Sequence, residues 1–240
     1  MSISKEETLK RLLKYILAKL QKYVVHDVED PSYIYPGGTN IFSITKLSYD
    51  LEELPGMITD ESGRNLFLIA FTQELLGDIV EIGSWQGKST IFLAKAVASS
   101  GNGRLYAIDH FKGNPGKEHF YVVKENDLSD LQEGFLRNIR RFSVEEFVTL
   151  MPMKSEEAAR ILKTKKIQIR LLFIDGSHEY VDVKTDYENF YDMVIPNGKI
   201  IFVDYSRHFP GVVQLVQEQI KKNAFKAFFC HRSMLVAVKK

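Results

Sequence analysis

The residues with the most chemistry to offer are carboxylates at the ends of short apolar runs, with one imidazole beside them. Asp109 closes Arg104-Leu105-Tyr106-Ala107-Ile108, Asp175 closes Ile169-Arg170-Leu171-Leu172-Phe173-Ile174, and Asp204 closes Lys199-Ile200-Ile201-Phe202-Val203. Glu81 is set inside a fourth run, Ile79-Val80-Glu81-Ile82, and His178 follows Asp175 by three residues. An imidazole with an ordinary pKa of about 6.5 is mostly neutral at pH 7 and accepts a proton there. His178 is therefore the first candidate for a general base, with Asp175 placed to orient it or to ligate a metal. The competing role for His178 is a turn residue bonded to backbone; His110 and His208 are the other imidazoles to weigh as bases, each better suited to a structural role.

Glu81 leads into Gly83-Ser84-Trp85-Gln86-Gly87-Lys88-Ser89-Thr90, a glycine turn between a β-branched strand and an apolar helix that stops at Gly101. Such a turn exposes helix-start N–H groups at a strand's C-terminal end, where α/β folds hold nucleotide-like ligands. Three ligands compete for it. A phosphate-binding loop needs four residues between its glycines, and here Gly83 and Gly87-Lys88-Ser89 are separated by three. The run ending at Asp175 resembles the strand and magnesium acid of such enzymes, but Glu81 beside the turn would repel a triphosphate. A dinucleotide fingerprint fails at its second glycine, where Trp85 stands. S-adenosylmethionine has a sulfonium and an ammonium and no phosphate, so Glu81 is favourable near its methionine end, Trp85 offers an aromatic face, and Asp109 suits the ribose diol.

The elements that must position these groups follow from periodicity. Leu66, Ile69, Ala70, Gln73 and Leu76 lie along one side of a helix expected from Asp60 to Leu76. Strands are expected at 78–82, 104–109, 147–151, 169–176 and 199–204, with helices after the first turn, through 131–139, from Ser155, from Tyr180 to Tyr191, and from Pro210 to Lys222. Pro196-Asn197-Gly198 is expected as the turn into the fifth strand. Phe225–His231 and Met234–Val238 are separated by only Arg232 and Ser233 and must pair antiparallel. The sum is an α/β, Rossmann-like fold: a doubly wound, mostly parallel seven-stranded sheet with a C-terminal antiparallel hairpin.

The 240 residues suffice for one large domain, and a formal charge of +1 argues against a dedicated nucleic-acid partner. Residues 1–56 are expected to form an N-terminal extension acting as lid or homodimer contact, built on an amphipathic helix with Leu9, Leu12, Leu13, Ile16, Leu17 and Leu20; residues 57–240 form the ligand-binding domain. The opening Met1-Ser2-Ile3-Ser4-Lys5-Glu6-Glu7 is too charged for a secretory leader, and no apolar run approaches the ~20 residues that span a bilayer. A soluble cytoplasmic protein without a membrane partner is expected. The single cysteine, Cys230, stands in an apolar run and is expected as a buried thiol.

Val80 to Thr90, Ala107-Ile108-Asp109, Leu172 to Tyr180, and Val203-Asp204-Tyr205-Ser206 with Pro210-Gly211 resemble, in order, the motifs of class I S-adenosylmethionine-dependent methyltransferases. The resemblance covers about residues 55–240 and is greatest to the branch with the macrocin-type sugar O-methyltransferases. It implies that Glu81, Gly83, Ser84, Trp85, Gly87 and Ser89 line the methionine end, Asp109 the ribose, and Ser155 with Glu156 the adenine side. Asp175 and His178 would face the transferred methyl, and the acceptor would be a hydroxyl of a sugar or other small molecule. In that branch two acids after the fifth strand join the fourth-strand aspartate around a divalent metal. Here the pair is Val203-Asp204, so Asp175 and Asp204 are left to hold a magnesium ion, or the enzyme works without one. A nucleoside-triphosphate enzyme built on Gly87-Lys88-Ser89, or a silent cofactor-binding member, are the alternatives.

Overall fold

The computed structural model describes residue 54 and residues 56–113 and 130–240. The chain forms, in order, α1 (Asp60–Phe71), β1 (Asp78–Ile82), α2 (Lys88–Ser100), β2 (Leu105–Ile108), α3 (Leu131–Arg141), β3 (Val148–Met151), α4 (Ser155–Thr164), β4 (Ile169–Ile174), α5 (Tyr180–Phe190), β5 (Val194–Phe202), α6 (Pro210–Lys221), β6 (Phe225–His231) and β7 (Met234–Lys239). The strands make one seven-stranded sheet in the order β3-β2-β1-β4-β5-β7-β6. The first five are parallel; β7 pairs antiparallel with β5, and β6 antiparallel with β7. The helix expected near the N-terminus, and the homodimer contact expected of it, fall outside the described residues.

Alternation along each strand divides the core in two. Ile79, Leu105, Ala107, Leu171 and Phe173 face α1, α2 and α3, while Val80, Ile108, Leu172 and Ile174 face α4, α5 and α6. Both faces are covered, as a parallel sheet requires. Strand order reverses between β1 and β4, whose ends are in register at Ile82 and Ile174, so Gly83 and Asp175 lie side by side at the switch point. Gly83 has φ +86°, and a Cβ there would stand 2.0 Å from the Asp175 carbonyl oxygen. Only glycine fits.

Three expectations are corrected by longer-range contacts. The first helix ends at Phe71 rather than Leu76, because Thr72 caps it and the Gln73 side chain turns inward to donate to the Arg170 carbonyl at 2.7 Å. The fifth strand begins at Val194 and runs through Pro196-Asn197-Gly198. Leu171 pairs with Lys199 just after Ile169 pairs with Val194, so the expected turn is a bulge, with Asn197 left-handed at φ 64°. Cys230 is exposed, not buried. It sits on β6, one of the sheet's two edge strands, of which only Phe225 is buried; Phe228 and Phe229 are exposed with it. No helix among the described residues is long and apolar enough to cross a membrane.

Candidate functional site

A cleft of about 620 Å³ opens at the C-terminal ends of the parallel strands, over the point where strand order reverses. The glycine turn forms one wall. Trp85 and Gly87 are held left-handed at φ 47° and 88°, and the Gly87 N–H closes the turn onto the Ser84 carbonyl at 2.8 Å. Gly87 also admits the Phe135 ring of α3, 3.2 Å from where a Cβ would stand.

What fixes this turn is Asp109. Its Oδ2 accepts the N–H of Ser84 at 3.0 Å and of Trp85 at 2.8 Å, and its Oδ1 accepts the Phe111 N–H at 2.7 Å. The N–H groups that a phosphate-binding turn would offer its ligand are therefore filled by a carboxylate of the chain itself. Two carboxylate oxygens offer about four acceptor positions, so three are spent and about one remains for a ribose hydroxyl. Lys88 does not reach toward a phosphate either; its ammonium pairs with Asp60 at 3.5 Å.

Glu81 supports the turn from behind. Fully buried, it accepts from Ser84 Oγ at 3.0 Å and Thr90 Oγ1 at 2.5 Å through Oε2, while Oε1 has no hydrogen-bond partner among the described residues. Burial is the main cause that pushes its carboxyl up to about 7; hydroxyl bonds from Ser89, Thr90 and Ser84 oppose it, and Asp109 adds to it. The folded state thus holds a proton that the unfolded chain releases near 4.5. Stability from this proton is present below about pH 4.5 and is lost as pH rises through about 7. Glu81→Gln keeps the neutral shape. It should be more stable than the parent at pH 8, by up to about 3 kcal/mol, with the difference vanishing at pH 4.5 in paired urea denaturations.

The cleft floor is acidic. Asp109, Glu156, Asp175, Asp182, Asp186 and Asp204 line it, against Lys88, Lys154 and Arg232. Burial, then the charges of Asp204 and Glu81, hold the Asp175 carboxyl well above the usual range. Asp186 is buried on α5, accepts Ser155 Oγ at 2.5 Å, and is pushed up to about 6, chiefly by burial. His178 is paired with Asp204 rather than with Asp175: its Nε2 lies 3.1 Å from Asp204 Oδ2, and its ring packs on Phe209 with centroids 4.4 Å apart. Asp204, the carboxylate in contact with the ring, has its backbone left-handed at φ 56° just past β5. One ligand atom each from Asp175, His178 and Asp204 lies within 4.8 Å of the other two.

Of the residues singled out in the sequence, Gly83, Ser84, Trp85, Ser89, Asp109, Ser155, Glu156, Asp175, His178 and Asp204 line the cleft, and Val203 lines it as a hydrocarbon. Glu81 and Gly87 stand behind the lining. His110 is on the wall with Nδ1 accepting the Lys112 N–H at 3.0 Å, and His208 is exposed away from the cleft. Sequence reasoning missed Asp182, Thr185 and Asp186, as well as Met57-Ile58-Thr59 and Arg232-Ser233-Met234. The signal for the first group was present, since Asp182 and Asp186 are four apart on one face of the helix after Asp175.

A family model described as a methyltransferase domain matches residues 80–205, more than half of the chain. The chain belongs to that family. Among solved structures, the O-methyltransferase NovP superposes with a TM-score of 0.63 at 22% identity, covering 77% of this chain and 82% of its own. An O-methyltransferase from Bacillus cereus, in complex with SAH, gives 0.59 at 14% identity over 97% and 100% of the two chains. TomG from Streptomyces achromogenes, an O-methyltransferase of Tomaymycin synthesis in complex with SAM, gives 0.59 at 14% over 99% and 100%. At these identities the likeness establishes the shared fold.

Proposed function

We propose that the protein transfers the methyl group of S-adenosylmethionine to a hydroxyl of a sugar or other small molecule. The observation that carries this is the pairing of Asp109 with the glycine turn inside an acidic cleft. A turn whose N–H groups are already filled by a carboxylate, facing a floor of further carboxylates, suits a cationic, phosphate-free ligand and repels a nucleoside triphosphate. The unpartnered Glu81 Oε1 behind the turn fits the same cofactor, because it is a buried acceptor close to where an ammonium would be received. SAM and SAH complexes of the like-folded TomG and Bacillus cereus enzymes support the cofactor, and TomG's part in Tomaymycin synthesis supports a small acceptor.

In this reading Gly83, Ser84, Trp85 and Ser89 hold the methionine end and Ser155 with Glu156 the adenine end. Asp109 both sets the turn and offers its remaining acceptor position to the ribose. In-line methyl transfer then depends on holding the acceptor oxygen against the sulfonium, and positioning of that kind supplies much of the rate. The acceptor's proton leaves to the cluster of Asp175, His178 and Asp204. His178 has two mutually exclusive uses there: general base, with Nε2 left against the Asp204 carboxylate at 3.1 Å, or metal ligand through Nε2. A divalent cation would be held by these three donors, two carboxylates and an imidazole whose ligand atoms lie within 4.8 Å of one another, and when bound it would polarise the acceptor oxygen.

Calorimetry with S-adenosylhomocysteine against ATP tests the reading. Binding of the former and none of the latter is expected; ATP binding with no S-adenosylhomocysteine binding would sink it. A screen of hydroxylated sugars and small phenols for methyl transfer then finds the acceptor, and a protein that binds cofactor but never turns over would be a silent member.

A further inference from the structure

We infer that His178 is the third ligand of a divalent metal site with Asp175 and Asp204, and that this site takes a first-row transition ion in preference to magnesium. This rests on the proposed function for its location and goes beyond it in ligand set and metal identity. Val203 offers no donor at the position before Asp204, so two carboxylates alone would leave a cation weakly held. The structure supplies a third donor three residues after Asp175, in the link from β4 to α5.

The geometry is that of a coordination edge. Two ligands about 2.1 Å from one ion at right angles are about 3.0 Å apart. His178 Nε2 and Asp204 Oδ2 stand 3.1 Å apart, and a carboxylate oxygen of Asp175 lies within 4.8 Å of both. The imidazole is prepositioned rather than loose: its side chain is only 9% exposed, and the Phe209 ring packs against it at 4.4 Å. Asp204 is likewise set by backbone, since its left-handed φ of 56° comes two residues past the end of β5, and the next residue's N–H is fixed to the Ser233 carbonyl at 2.7 Å. A ring fixed in place loses little freedom on binding an ion.

The donor set decides the metal. Magnesium demands oxygen ligands and keeps its waters, whereas an imidazole nitrogen suits manganese, iron, cobalt, nickel or zinc increasingly well. Two carboxylates and one imidazole on one side of the cleft leave further coordination positions toward the ligand space.

The test uses the full-length protein freed of metal by chelation, with Co²⁺, Mn²⁺ and Mg²⁺ as probes in separate calorimetric titrations, and S-adenosylhomocysteine titrated into the same preparations. Co²⁺ is expected to bind at least about tenfold more tightly than Mg²⁺, and the cobalt form should show a paramagnetically shifted, exchangeable imidazole resonance. His178→Ala should remove that resonance and most of the preference for Co²⁺, while Asp175→Asn should weaken all three ions. Val203→Asp should raise Mg²⁺ affinity by restoring a carboxylate. Equal affinities for Co²⁺ and Mg²⁺ in the parent, or an unchanged preference in His178→Ala, would overturn the inference. So would binding of S-adenosylhomocysteine by a protein that takes no metal, which would leave the methyltransferase reading standing and return His178 to the role of base. Metal binding with the expected signature but no S-adenosylhomocysteine binding would do the reverse.

Discussion

Arg170→Met should lower the thermal midpoint by about 10 °C while leaving the affinity of the folded protein for S-adenosylhomocysteine unchanged. Arg170 is fully buried near the start of β4, at the end of the sheet away from the cleft. Its guanidinium donates from Nε to the Gly77 carbonyl at 3.0 Å, from Nη1 to the Ala70 carbonyl at 2.6 Å, and from Nη2 to the Asn102 carbonyl at 3.2 Å. Those three carbonyls belong to the end of α1, the approach to β1 and the link from α2 to β2, so one side chain ties together three connections that enter the sheet. Burial depresses its pKa to about 10, with Asp78 opposing, and the group remains charged at neutral pH.

Methionine fills a similar volume but leaves three carbonyls without a donor. Each stripped acceptor costs about 1–3 kcal/mol, and loss of a buried charged hydrogen-bonding group of this kind typically costs about 3–5 kcal/mol in total. At ~2–4 °C per kcal/mol for a domain of this size, that is a shift of about 10 °C. Arg170→Lys, which can reach one carbonyl at a time, should fall between the two. Circular dichroism melts check the stability; calorimetry below the transition checks the cofactor affinity. A midpoint within about 2 °C of the parent would show that water replaces the guanidinium at little cost.

The sequence made the sheet legible because each strand is a local apolar pattern, and it made the glycine turn legible because Gly83 and Gly87 flag a backbone that other residues cannot follow. What it concealed are side-chain bonds between residues far apart in the chain. Gln73 ends α1 by reaching Arg170, 97 residues away, and nothing near Gln73 announces this. Arg170 itself is a charged residue in the second position of a strand, which local pattern assigns to a polar edge rather than to the centre of a network. The bulge at Pro196-Asn197-Gly198 carries every mark of a simple turn; only pairing with Ile169 and Leu171 keeps the chain in the sheet on both sides of it. Cys230 looks buried because its neighbours are apolar, yet burial depends on what covers β6, and β6 is an edge strand. At the site, position at strand ends identified Asp109, Asp175 and Asp204 but not their partners, since the contact of His178 with Asp204 joins residues of different strand-to-helix links that no local pattern connects.

Asp109→Ala should reduce affinity for S-adenosylhomocysteine by at least about 300-fold, more than loss of one ribose contact would explain. A single hydrogen bond from a hydroxyl to a carboxylate contributes about 1.5–3 kcal/mol, or roughly ten- to a hundredfold. Asp109, however, also accepts from Ser84, Trp85 and Phe111, and two of these three N–H groups belong to the turn that forms the wall of the cleft. With the carboxylate gone, Trp85 loses the bond at 2.8 Å that helps to keep it left-handed at φ 47°, a conformation that a bulky residue does not hold unaided. The turn would then relax before any ligand arrives, and cofactor binding would have to rebuild it. Asp109→Asn separates the two contributions. Its amide oxygen can still accept from one side of the turn, but its NH₂ faces an N–H where the carboxylate accepted. If Asp109 served only the ribose, a 2′,3′-dideoxy analogue of S-adenosylhomocysteine would bind parent and Asp109→Ala alike. If it organises the turn, the analogue should still lose at least about tenfold in the variant, because the damage lies in the wall and not in the missing diol. Equal binding of that analogue by both proteins would reduce Asp109 to a ribose acceptor and remove the turn-setting role assigned to it here.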